Sequence, residues 1–91
     1  MKIIAKVVAQ TEPISVTSKK SETGQLTKAY IRLKELGGDY EDEYQCAVFG
    51  NLALVKFQPG DVVAASLRFQ THESGGQYYQ DIVCNEVYKL N

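Results

Sequence analysis

Residues 41–69, EDEYQCAVFGNLALVKFQPGDVVAASLRF, decide the fold. Residues 41–49 alternate, with Tyr44, Cys46 and Val48 on one side and Glu43, Gln45, Ala47 and Phe49 on the other, which is a strand with one face for a core. Asn51 then stands as a cap for a short helix running through Leu52 to Phe57, and Pro59-Gly60 must stop it. From Asp61 to about His72 the alternation returns, with Val63, Ala65, Leu67 and Phe69 against Ala64, Ser66, Arg68 and Gln70. The centre of the chain therefore reads strand, helix, strand.

Working outward, residues 2–10 (KIIAKVVAQ) form a first strand, buried on both faces over part of its length. Pro13 suits an edge or a bend, and Ile14-Ser15-Val16-Thr17 can carry the same strand past it. Residues 18–24 are a polar loop closed by Gly24. Residues 26–36 (LTKAYIRLKEL) alternate strongly, Ala29, Ile31 and Leu33 against Lys28, Tyr30, Arg32 and Lys34, and Gly37-Gly38-Asp39 turns this strand into the next. Beyond Ser74-Gly75-Gly76, residues 78–88 (YYQDIVCNEVY) complete a fifth strand. Five strands with one helix between the third and fourth is the chain order of an OB-fold, a small all-β Greek-key barrel. An SH3-like barrel lacks a helix at that position. Closure suits a short chain because it removes most exposed strand edges.

The 91 residues (10.1 kDa) fit a single domain, 1–91, with an ordinary soluble balance of 44% hydrophobic and 23% charged residues. Cys46 and Cys84 lie far apart with no CxxC spacing, so a disulfide-dense scaffold and a cysteine-rich metal site are both excluded, and the two read as reduced core residues. No apolar run approaches a membrane span and no signal-peptide pattern opens the chain, so a cytoplasmic protein is expected. His72, the single histidine, cannot build a triad or a histidine-rich metal site and reads as a surface residue. Glu41-Asp42-Glu43 reads as a solvated negative patch, and no P-loop, GxGxxG or GxSxG occurs. No enzyme activity, cofactor, metal or small-molecule substrate is expected.

A formal charge of −1 conceals a division. Residues 1–34 hold seven basic side chains against Glu12 and Glu22, whereas residues 35–91 hold Lys56, Arg68 and Lys89 against nine acids. Sequence-tolerant binding of single strands needs cations along the backbone path and aromatic faces for the bases. Lys28, Tyr30, Arg32 and Lys34, two residues apart on one strand face, supply both, and Lys19-Lys20 in the preceding loop can add phosphate contacts. Phe49 has two readings: its parity opposes Cys46 and Val48, which makes it a second stacking platform, whereas a bulge would turn it into the core. The same basic face also suits an acidic protein partner, so an OB-fold interaction module without nucleic-acid binding is the alternative function.

Val48-Phe49-Gly50-Asn51-Leu52-Ala53, Pro59-Gly60-Asp61-Val62-Val63, Leu67-Arg68 and Gly76-Gln77-Tyr78-Tyr79-Gln80-Asp81-Ile82 follow one another in an order that resembles the bacterial and phage single-stranded DNA-binding (SSB) family, and most closely its small SSB-like members. The resemblance implies sequestration of single-stranded DNA, or RNA, in replication or recombination, in a phage or mobile element. It implies base stacking at Phe49; it places Arg68 and His72 on the strand entering a hairpin that wraps nucleic acid, and Tyr78 as the aromatic beyond the hairpin tip. It also implies a homodimer or homotetramer paired through the first strand. That strand places Ile4 and Val8 opposite the core, which is apolar surface suited to a partner. With no tryptophan in the chain, stacking falls to tyrosine and phenylalanine.

Overall fold

The computed structural model describes residues 1–17, 24–38 and 40–90. Along the chain run β1 (Lys2–Gln10), β2 (Ile14–Thr17), β3 (Gln25–Glu35), β4 (Glu43–Phe49), α1 (Asn51–Leu54), β5 (Val62–Ser74) and β6 (Gln77–Lys89). The hydrogen-bonded order is β1-β5-β6-β4-β3, and β3 pairs back onto β1, so the sheet closes into a barrel. Neighbours are antiparallel except β4 and β6, which meet in parallel at Ala47 and Val83. The fold is an OB-fold, as the order of elements predicts.

The alternation on each strand builds the core. Ala5 and Val7, Ala29, Ile31 and Leu33, Cys46 and Val48, Val63, Ala65 and Leu67, and Cys84 all point inward and are buried. Small residues on β1, β5 and β6 let the tightly curved walls approach the larger Ile31 and Leu33, each worth about 1.5–3 kcal/mol when fully buried. Both cysteines are free and buried, and burial pushes the Cys46 thiol up to about 12 and the Cys84 thiol up to about 11. At the open end of the interior Tyr44 meets Phe69 edge to face, with ring centroids 6.5 Å apart. Tyr44 donates its hydroxyl to Glu35 Oε1 at 3.2 Å.

Two expectations are corrected. The helix is one turn, not two, and Gly50 rather than Asn51 is its cap, with no side-chain capping bond. Beyond Leu54 the chain is extended, and the Gln10 side chain explains why. Its Oε1 accepts the Phe57 N–H at 2.8 Å, which a second turn would have given to Ala53 O, and its Nε2 donates at 2.7 Å to Val55 O, whose helical partner would have been Pro59, a residue with no N–H. Residues 14–17 carry β1 onward past Pro13, as the sequence predicts: β1 and β2 lie in line on the same edge of β3, both antiparallel to it, with Gln10 opposite Ile31, Ile14 opposite Lys28 and Val16 opposite Leu26. Pro13 interrupts the ladder and divides it into two strands, and the Thr11 N–H, donating to Tyr30 O at 2.9 Å, spans the gap. Second, β1 is not buried on both faces: Lys2, Ile4 and Lys6 are exposed, and a register shift between Val7 and Ala9 takes half-buried Val8 out of line with Ile4.

The β5–β6 hairpin extends beyond the barrel as a two-stranded ribbon. Gly75 (φ 60°) and Gly76 (φ 81°) form its two-residue turn between paired Ser74 and Gln77, and two successive left-handed residues are what a type I′ turn requires. This turn fixes the register of everything on the ribbon.

Candidate nucleic-acid interface

On β3 every second side chain leaves the barrel: Lys28, Tyr30 and Lys34 are half-buried and Arg32 is exposed. On β4 the outward set is Glu43, Gln45, Ala47 and Phe49, and the register sets Phe49 opposite Lys28, Ala47 opposite Tyr30, Gln45 opposite Arg32 and Glu43 opposite Lys34. Phe49 is half-buried on this outer face, so no bulge turns it into the core. Lys28 Nζ sits 4.8 Å from the Tyr30 ring centroid and 5.6 Å from that of Phe49, a cation shared by two aromatic faces.

The parallel contact of Ala47 with Val83 brings the ribbon alongside this surface. Between them lies a groove of about 540 Å³, with Lys28, Tyr30 and Phe49 on one wall and Gln70, Gln80 and Asp81 on the other. Gln45 completes the lining, and a second hollow continues past it to Tyr30 and Arg32. Among the described residues, Arg32 and Arg68 face no carboxylate within ion-pair distance, and the amides of Gln45, Gln70 and Gln80 have no protein partner. These are polar groups open to a ligand.

The ribbon sorts the remaining expected residues. Arg68 pairs with Val83, Gln70 with Asp81 and His72 with Tyr79, so Arg68 and His72 lie on the ribbon face that continues the groove. His72 Nδ1 lies 3.2 Å from Asp81 Oδ2, and its ring stacks on Tyr79 with centroids 5.4 Å apart. Tyr78 pairs with Glu73 and therefore occupies the opposite face, 74% exposed and away from Lys28 and Phe49. Lys34 stands in register between Glu43 on β4 and Lys6 on β1, an acid on one side and a second cation on the other. Lys19 and Lys20 lie outside the described residues.

Sequence reasoning missed Gln45, Gln70, Tyr79 and Asp81. The signal was present: a two-residue Gly75-Gly76 turn pairs residues whose numbers sum to a constant, which sets Tyr79, not Tyr78, beside His72.

No protein-family model matches the chain, and no curated protein matches it significantly. Among solved structures it is similar to the second OB-fold domain of replication protein A from Methanococcus maripaludis. The TM-score is 0.72 at 19% identity, over 98% of this chain and 81% of that one. At that identity the likeness establishes the OB-fold.

Proposed function

We propose that this protein binds single-stranded nucleic acid, DNA in the first place, and sequesters it during replication or recombination in the cytoplasm. The observation that carries the reading is the Lys28 ammonium set between the Tyr30 and Phe49 rings at the wall of an open, polar groove. Phosphates follow Lys28, Arg32 and Arg68, and unstacked bases lie on the rings, a mode that is largely blind to sequence. OB-folds recur as single-strand binders, and the replication protein A domain shares this architecture. A duplex keeps its bases stacked inside and has nothing to offer the rings, so binding rather than catalysis on a duplex is the proposed role. Among the described residues no helix is long and apolar enough to cross a membrane.

Self-association through the first strand belongs to the same proposal. Ile4, Ala64 and Tyr88 stand in one row across β1, β5 and β6, with Ile4 54% and Tyr88 60% exposed, over a shallow hollow of about 450 Å³. This row lies on β1, the strand through which a dimer or tetramer is expected to form.

Fluorescence anisotropy with a labelled dT oligomer and a duplex of equal length at low salt tests the first reading. Preference for the single strand supports it, and absence of binding to either overturns it in favour of a protein-interaction module. Sedimentation of the pure protein tests the second, with Ile4→Asp expected to give a monomer.

A further inference from the structure

The groove has an acid in a place where a purely electrostatic binder of polyanions would have none. Asp81 lines the wall opposite Lys28, Tyr30 and Phe49. Its position is held from behind: His72 Nδ1 engages Oδ2 at 3.2 Å, and Tyr79 stacks on the imidazole. Among the described residues Oδ1 has no partner. The flanking amides of Gln45 and Gln70 each donate and accept, so they can satisfy any base. A carboxylate only accepts, which makes Asp81 the group on the ribbon wall of the groove that discriminates.

We infer that Asp81 gives the groove a preference for guanine among the bases of a single strand. This rests on the single-strand reading above and adds an orientation to it. Beside Asp81 the phosphates keep to the Lys28 and Arg32 side, because its carboxylate repels them, so at that point base edges are directed toward β6. Guanine presents two adjacent donors on its Watson–Crick edge, the N1–H and the 2-amino group, and these match the fork of a carboxylate. Cytosine and adenine present one amino group beside a ring nitrogen acceptor. Thymine and uracil present one N–H between two carbonyl oxygens, both of which face the carboxylate unfavourably. The order expected is guanine first, then cytosine and adenine, then thymine.

Anisotropy titrations with three labelled oligomers of equal length test this: dT throughout, dT with dG at every third position, and dT with deoxyinosine at those positions. Spacing the guanines avoids guanine-only runs. The guanine oligomer is expected to bind about tenfold more tightly than dT, and deoxyinosine, which lacks the 2-amino group, to lose most of that gain. In Asp81→Asn, whose circular dichroism checks the fold, dT binding rises several-fold as a repulsive charge disappears, and the guanine advantage falls below about twofold. Equal binding of all three oligomers overturns the preference and leaves single-strand binding standing. Deoxyinosine binding as tightly as guanine, or a preference that survives Asp81→Asn, removes the role of Asp81. If none of the oligomers binds, the single-strand reading itself is lost, and this inference with it.

Discussion

Phe49 stands directly across the sheet from Lys28, and the Lys28 ammonium lies 5.6 Å from its ring centroid. The pair explains how an aromatic ring can face outward without becoming a bare apolar spot. The cation covers the ring from one side, and Ala47 and Val83 line the same groove, so in the proposed role the pair meets a base and a phosphate together.

Truncating the platforms should therefore weaken binding more than stability. Phe49→Ala and Tyr30→Ala are each expected to cost about 1–3 kcal/mol of affinity for a dT oligomer. Thermal denaturation should show only a small loss for either, since neither side chain belongs to the buried core.

The cationic path sets the salt response. Lys28, Arg32 and Arg68, with Lys34 as a fourth contact, give a log–log slope of about −2 to −3 for single strands at roughly 0.7 ion per contact. Arg32→Glu with Arg68→Glu should lower affinity at least about tenfold at low salt and flatten the slope. Both side chains are exposed and face no acid among the described residues, so the barrel should keep its denaturation midpoint. A slope near zero in the native protein would count against the path.

The two neighbouring tyrosines of the ribbon separate its faces. Tyr79→Ala removes the ring that holds His72 behind Asp81, and it should weaken oligonucleotide binding several-fold. Tyr78→Ala, on the other face beside Glu73, should leave binding within about twofold, as read in the same titration.

The two buried thiols make a prediction about pH. Their folded values lie near 12 and 11, above those of exposed thiols, so the unfolded chain loses these protons first as pH rises. Stability from this source is complete below about pH 8.5 and is lost as pH climbs through 11 to 12. Urea midpoints measured between pH 8 and 11 should fall progressively, and Cys46→Ala with Cys84→Ala should flatten that fall at some cost in packing. A thiol reagent at pH 8 should modify neither cysteine until the chain is unfolded.

Much of this was legible in the chain because period-two alternation states which side of a strand is apolar before any partner is known. Ile31 and Leu33 inward, Tyr30 and Arg32 outward, follow from it and are found. What failed were features settled by contacts distant in sequence. The second helical turn lost to the side chain of Gln10, some 45 residues away. Val8 left the row of Ile4 because the pairing of β1 with β3 shifts register between Val7 and Ala9, just beyond the stretch that β1 shares with β5.

By itself, then, the sequence determined the order of strands and helix, the inward residues and the rings and cations of β3, since each depends only on local alternation and turn chemistry. Only the tertiary structure decided what stands across from them. Barrel closure brings Ala47 to Val83, and through that contact the ribbon sets Asp81 and the glutamines opposite Lys28 and Phe49. No local pattern encodes a pairing between strands more than thirty residues apart, because such a contact exists only once the whole sheet has curved shut.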